Sequence, residues 1–358
     1  MIDYRRITEI NDQLNDRYAA GNAYENVATY PKLVTLTTTL RCNYRCWMCY
    51  QKEYKGDLDW RIVERLEHVL PFAKTLQMFG GEPLLYGRLS ELCALAGKYA
   101  CELDIITNGS LLDTERRAML LDNNAALIKV SLEAATQDTY HFIRGGDLAQ
   151  VLANIRAMAD AKAGRGLKNP ALQINFVAME RNIRELPDLV PLAAEAGVDK
   201  LLILFMNAQD REDLARESLF FHQQLSDECM RKALEVGKEK GLEVVVPGFF
   251  NAEEGEEDCV VDQTCHSPWK NCLVAMDGTV QFCCGRTGKT LGNLLERDFD
   301  EMWQCGHITT FRKLVNTDKQ PQCCRTCRVK ARNIHDVGFH IRDAGLAKKL
   351  LQERASAP

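Results

Sequence analysis

From Leu33 onward, short apolar and β-branched runs recur at Leu33–Thr39, Thr75–Phe79, Glu102–Thr107, Ala126–Leu132, Leu172–Met179 and Lys200–Phe205. Between them, apolar positions fall at helical spacing over Trp60–Leu70, Arg88–Tyr99, Asp113–Leu121, Leu148–Ala163 and Ile183–Ala196, with one further stretch, His222–Lys240, after the last run. Strands alternating with helices are the pattern of repeated βα units on a parallel sheet. Six units fall short of the eight that close a barrel. The pattern therefore predicts an α/β fold, a partial (β/α)6 barrel of the TIM type over residues 31–245, with Glu243–Pro247 as one more strand. A doubly wound open sheet would share this periodicity. Residues 1–30 are polar and predict one helix at Arg6–Ala19, ending before the Tyr30-Pro31 break.

Beyond residue 246 the periodicity changes. Asn251–Glu257 reads as an acidic surface linker. The stretch 259–330 exchanges helical spacing for cysteine, glycine and proline. Residues 246–335 thus predict a small cysteine-rich extension whose order depends on metal, because some 70 residues bury little core of their own. Residues 336–358 predict a tail helix with a charged outer face.

Composition narrows the function classes. The chain has 358 residues, 46% hydrophobic and 27% charged, which is ordinary for a globular protein. A net charge of −5 supplies no electrostatic reason to expect nucleic acid as a partner. No apolar run approaches the ~20 residues of a membrane span, and Met1–Arg6 lacks the apolar core of a signal peptide. Fifteen cysteines without a secretion signal point to metal sites in a reducing cytoplasm rather than to a disulfide framework.

Three of these cysteines, Cys42, Cys46 and Cys49, follow the first strand at C-x3-C-x2-C spacing. Only a loop lets thiols this close in sequence converge, because strand neighbours face opposite sides and a helix spreads them along its length. Soft sulfur ligands suit zinc or an iron–sulfur cluster. A structural zinc site is usually closed by four ligands, and no fourth cysteine or histidine lies nearby. Three thiolates on a four-iron cluster would leave one position open for chemistry. Functional groups in parallel βα folds sit after the strand C-termini. There the chain carries Gly80-Gly81-Glu82-Pro83, then Thr107-Asn108-Gly109, then Ser131-Leu132-Glu133, followed by Arg144-Gly145-Gly146.

In this order, the cysteine loop and the four motifs closely resemble the radical S-adenosylmethionine enzymes over roughly residues 31–210. The resemblance implies a 4Fe–4S cluster held by Cys42, Cys46 and Cys49, whose open iron binds the amino and carboxylate groups of S-adenosylmethionine. It implies that Gly80, Gly81 and Glu82 contact the methionine amino group, that Asn108 and Ser131 reach the ribose or carboxylate, and that Arg144 holds the carboxylate. Glu133 stands where related enzymes commonly carry Asp. The implied activity is reductive cleavage of S-adenosylmethionine to a 5′-deoxyadenosyl radical that abstracts a substrate hydrogen atom, with a flavodoxin- or ferredoxin-type protein as electron donor.

A second constellation runs through Cys265, Gly278, Cys283, Trp303 and Cys324-x2-Cys327. Asp277-Gly278 is a hairpin turn that folds Cys283 back toward Cys265. By spacing alone, a structural zinc site fits equally well. The order of features resembles the SPASM/twitch extension that binds auxiliary iron–sulfur clusters. No cysteine follows Cys327, so the resemblance implies a single auxiliary 4Fe–4S cluster on Cys265, Cys283, Cys324 and Cys327, with Cys284 and Cys323 as neighbouring alternatives. The substrate implied is a small molecule or a short peptide. The alternative reading is a non-catalytic metal-binding, electron-transfer or zinc-stabilised binding protein. The remaining cysteines, among them Cys93, Cys101 and Cys272, read as small buried apolar side chains, although Cys272 would also serve as a thiol hydrogen donor.

Overall fold

The computed structural model describes residues 2–21, 23–253, 260–283, 290–325, 327 and 329–356. Its strands are β1 (Leu33–Thr39), β2 (Thr75–Gly80), β3 (Glu102–Thr107), β4 (Ala125–Ser131), β5 (Ala171–Ala178), β6 (Lys200–Phe205), β7 (Glu243–Val245), β8 (Val260–Asp262), β9 (Asn271–Val274), β10 (Thr279–Gln281), β11 (Thr290–Asn293) and β12 (Ala331–Asn333). One sheet runs in the order β11-β10-β9-β1-β2-β3-β4-β5-β6-β7, while β8 and β12 pair separately. The contiguous block from β9 through β1 to β7 is parallel, and β10 turns back antiparallel onto β9. The curled sheet is a partial barrel.

The two faces of the sheet explain its openness. Outward-pointing Val34, Leu36, Leu76, Met78, Leu103, Ile105, Ile128, Val130, Leu172, Ile174, Phe176, Leu201 and Ile203 are at most 2% exposed, sealed beneath the surrounding helices. Their inward neighbours Thr37, Gln77, Phe79, Ile106, Lys129, Ser131, Asn175, Val177 and Leu202 are only half-buried, and Leu204 is 41% exposed. A closed eight-stranded barrel fills its interior with side chains. Here the lumen stays accessible because the ring is not closed.

The structure adds elements that periodicity missed. The helix Gln137–Arg144 begins at an N-cap, Thr136, whose side chain accepts from Thr139 N, and ends at Gly145 with φ +75°. Both are standard boundary signals, and this helix delivers Arg144. The tail is broken into two helices, Val337–His340 and Ala344–Ala355.

The cysteine-rich region also departs from expectation. It holds helices at Phe299–Trp303 and Gly306–Leu314, with Phe299, Met302, Trp303, Ile308 and Phe311 buried. These side chains join the same apolar cluster as the barrel. Its strand β9 also extends the barrel sheet, pairing Leu33 with Asn271 and Thr35 with Leu273. The extension therefore has a core, shared with its neighbour, where the sequence suggested a segment ordered by metal. The N-terminal helix Tyr4–Ala20 and the loop after it are packed between the two regions. Trp269 Nε1 donates to Ala23 O at 2.7 Å, and Trp303 Nε1 donates to Thr29 O at 2.8 Å.

Candidate functional site

The loop carrying Cys42, Cys46 and Cys49 leaves the C-terminal end of β1 and is held from several sides. Before it, Arg41 makes a two-point contact with Asp57, at 2.9 and 2.7 Å, and Thr39 Oγ1 donates to the same carboxylate at 2.7 Å. Within it, Asn43 donates to Ser110 Oγ at 2.9 Å and accepts from Asn108 Nδ2 at 2.9 Å. Trp47 N donates to Ile143 O at 2.8 Å, and the Tyr50 hydroxyl accepts from Gln209 N at 2.6 Å. Asn43 was not singled out from the sequence. Its only signal is that an amide lies between two cysteines.

Gly80 and Gly81 are explained by this loop. Gly80 has φ +141°, and a Cβ there would lie 2.3 Å from Thr39 O; at Gly81 it would lie 2.3 Å from Arg41 O. Only glycine lets the end of β2 approach the cysteine loop so closely. Gly81 N and Glu82 N then donate to Thr39 O and Arg41 O at 2.7 and 2.8 Å.

The carboxylate of Glu82 is fully buried and spent inside the protein. It accepts from Thr107 Oγ1 at 2.7 Å, Asn108 N at 2.7 Å and Leu84 N at 3.1 Å. Burial pushes this carboxyl up, against the lowering effect of those hydrogen bonds. The side chain of Asn108 is likewise occupied, by Asn43 and Ser110. Glu82 and Asn108 thus tie the ends of β2 and β3 to the cysteine loop. Ser131 ends β4 half-buried on the lumen face, opposite Asn175.

Arg144 and Glu133 form a buried two-point ion pair. Arg144 Nη2 donates to Glu133 Oε1 at 2.6 Å, Nε donates to Oε2, and Nη1 reaches Cys46 Sγ at 3.5 Å. Burial disfavours the charge on Arg144, yet the fields of Glu133 and Cys46 raise its pKa. Glu133 is therefore the partner of Arg144. No sequence signal joined them beyond their succession along the chain.

The donor set around the thiols fits a thiolate-bound metal cluster. Cys42 Sγ accepts from Tyr44 N at 3.4 Å, Cys49 Sγ from Gln51 N at 3.3 Å, and Cys46 Sγ from Arg144. Burial raises the Cys42 and Cys46 thiols, the latter against the pull of Arg144. Loading with metal must therefore release their protons. None of the described cysteines is in a disulfide. Among the described residues no three Cys, His, Asp or Glu side chains stand at metal-ligand spacing, so these thiols are neighbours rather than a closed coordination shell.

The second cysteine set is partly assembled. Asn316 brackets Cys265, accepting from its N–H at 2.8 Å and donating to its carbonyl at 3.1 Å. Burial and the adjacent Cys323 push the buried Cys324 thiol up to about 12, with Cys265 and Cys327 near enough to contribute. Cys323 lies within this group, and Cys284 falls outside the described residues. Cys283 borders a cavity of about 170 Å3 that also involves Thr35, Gln77, Phe79, Ile106 and Leu273 of the lumen face. Cys93 and Cys101 are fully buried, with thiols pushed up to about 12 by burial, and serve as packing. Cys272 borders the same cavity but is 1% exposed, its thiol likewise raised by burial.

No helix among the described residues is long and apolar enough to cross a membrane. The model of the radical SAM superfamily matches residues 36–190, and that of the SPASM iron–sulfur cluster-binding domain matches residues 265–328. The chain is 24% identical over 319 residues to the tungsten-containing aldehyde ferredoxin oxidoreductase cofactor-modifying protein of Pyrococcus furiosus, covering 82% of this chain and 86% of that one. It is 24% identical over 330 residues to the AdoMet-dependent heme synthase of Methanosarcina barkeri, covering 84% and 89%. SuiB of Streptococcus suis bound to S-adenosylmethionine shares the fold, with a TM-score of 0.61 at 14% identity over 87% of this chain and 81% of that one. SuiB bound to its precursor peptide SuiA gives 0.59 at 12% identity, covering 84% and 70%. The strand-end motifs, the cysteine loop and the appended hairpin meet in one assignment: the chain is an enzyme of the radical S-adenosylmethionine superfamily, using S-adenosylmethionine with a 4Fe–4S cluster and carrying a C-terminal SPASM iron–sulfur domain.

Proposed function

We propose that Cys42, Cys46 and Cys49 hold the 4Fe–4S cluster that binds S-adenosylmethionine, and that Cys265, Cys283, Cys324 and Cys327 hold one auxiliary 4Fe–4S cluster. When bound, the first cluster and S-adenosylmethionine supply a 5′-deoxyadenosyl radical able to abstract a hydrogen atom from carbon. Ser131 and Arg144 would receive the polar groups of S-adenosylmethionine. Asn108, Glu82, Gly80 and Gly81 act behind them by fixing the loop. Arg144 does so already charged and already oriented by Glu133, so no reorganisation is needed when ligand arrives. The half-buried lumen beneath is the space for substrate.

The observation that carries this reading is Cys283. It belongs to the second cysteine set, yet it borders a lumen cavity shared with Thr35 of β1, the strand that leads into the first set. An auxiliary centre there stands beside the substrate space, suited to accept an electron from a substrate radical or to bind the substrate. The names of the relatives, a cofactor-modifying protein and a heme synthase, support a small molecule; the peptide-bound SuiB structure supports a short peptide. A flavodoxin- or ferredoxin-type donor would reduce the first cluster, in the cytoplasm.

Anaerobic reconstitution followed by iron and sulfide analysis tests the cluster content, with about eight irons per chain expected from two four-iron clusters. Cys42→Ala should remove about half of that iron and abolish reductive cleavage of S-adenosylmethionine. Zinc without iron or sulfide, or retained cleavage in that variant, would overturn the reading.

A further inference from the structure

The lumen face mixes apolar side chains, among them Leu33, Phe79, Ile106, Leu127, Val177 and Leu202, with polar ones, among them Thr37, Ser131, Gln173 and Asn175. One polar band across it holds a charged pair. On successive strands, Thr35 Oγ1 contacts Gln77 Oε1 at 3.3 Å, Gln77 Nε2 donates to Asp104 Oδ2 at 2.7 Å, and Lys129 Nζ donates to the same oxygen at 2.7 Å. Asp104 is 7% exposed, and its other oxygen, Oδ1, is buried without a hydrogen-bond partner among the described residues. Among the described residues, Asp104 is the one hydrogen-bond partner of the Lys129 ammonium, which has three donors.

A buried carboxylate oxygen left without a donor is costly, and a buried charged pair often gains nothing over well-packed apolar side chains. Packing therefore gives no reason for the pair. Its placement does. Lys129 precedes Ser131 by two residues, so it lies about 7 Å further down the strand, one inward layer below the mouth. Gln77, which orients Asp104, also borders the cavity that includes Cys283. The pair thus sits one inward layer below Ser131, with Asp104 held by a residue that borders the cavity of Cys283.

We propose that Asp104 and Lys129 form the substrate anchor. Asp104 Oδ1 accepts from an N–H or O–H of the substrate, and a free Lys129 N–H donates to an adjacent oxygen. The pair is neutral as a unit and presents one acceptor beside one donor. It therefore selects a neutral group with the complementary arrangement, which is the chemistry shared by a peptide amide and by neighbouring hydroxyls of a polyol. Thr35 and Gln77 hold the anchor in place. This inference rests on the radical-enzyme reading, because it places substrate in the lumen.

The test uses the reconstituted two-cluster protein with two probes, N-acetylglycinamide for the amide and scyllo-inositol for the polyol, titrated by ligand-observed NMR. Asp104→Asn keeps the shape but replaces one acceptor oxygen by a donor. The double variant Asp104→Leu/Lys129→Leu removes both charges together and leaves no unpaired ion. Saturable binding of at least one probe by the unaltered protein, weakened tenfold or more in both variants, is expected; the probe that binds tells amide from polyol. Substrate-free cleavage of S-adenosylmethionine should be unchanged in both variants, which shows that they fold and load their clusters. No saturable binding, or a loss smaller than tenfold, overturns the anchor. Absence of cleavage in the unaltered protein would instead strike the radical-enzyme reading.

Discussion

Glu133 and Arg144 show how much of the site depends on single side chains placed without water. Glu133 is fully buried and Arg144 nearly so, their contact has two points, and the third guanidinium nitrogen faces Cys46. Removing one partner of such a pair leaves an uncompensated buried charge, a cost of about 3–5 kcal/mol. Glu133→Ala should lose stability on that scale in a denaturant titration, and should lose S-adenosylmethionine cleavage with it. Glu133→Gln, which keeps one oxygen for Arg144, should lose less of both. Equal losses in the two variants would show that the charge is not what matters. The residue types Glu, Arg and Cys were legible in the chain. Their pairing was not, because 98 positions separate Arg144 from Cys46 and only the return of the chain brings them together.

At the scale of elements, the end of β2 is built against the loop after β1. Gly81→Ala would place a Cβ 2.3 Å from the Arg41 carbonyl, a backbone atom that cannot move aside alone. The loop carrying Cys42 must then shift, at a cost of about 1–3 kcal/mol by analogy with overpacked cores. Iron should be lost from the first site while the auxiliary site keeps its own, as Mössbauer or EPR spectra of the two clusters would show; loss of both together would contradict this. Strand positions were legible to within a residue or so, because outward apolar side chains alternate with inward ones. The helix Gln137–Arg144 was not read, although Thr136 and Gly145 bound it, because it buries only Tyr140 and Ile143. The helices between Phe299 and Leu314 were masked by short length and by cysteines that drew the eye to metal.

Over the whole molecule, the chain closes on itself at the cysteine loop. The tail runs beside the loop after β6, with Ala208 N donating to His340 O at 2.9 Å and Arg342 N to Ala208 O at 2.8 Å. Ile341, Ala347 and Leu350 then join Met179, Met206 and Leu214 in a second small core, against which Trp47, Met48 and Tyr50 pack. Leu350→Ala should cost about 2–5 kcal/mol as a buried leucine truncation and should hasten loss of iron from the first site; an unchanged iron content would confine the tail to a role in stability. By itself, the sequence determined the strand–helix alternation, the soft thiols of the two cysteine sets and the order of motifs at the strand ends, because these depend on residue type and on spacing along the chain. Tertiary structure alone decided which of those residues are engaged in hydrogen bonds that brace the loop, that the cysteine-rich region shares the barrel's core and sheet, and that Asp104 and Lys129 meet inside the lumen. Those outcomes turn on burial and on contacts between distant positions, and neither quantity exists until the sheet has curled.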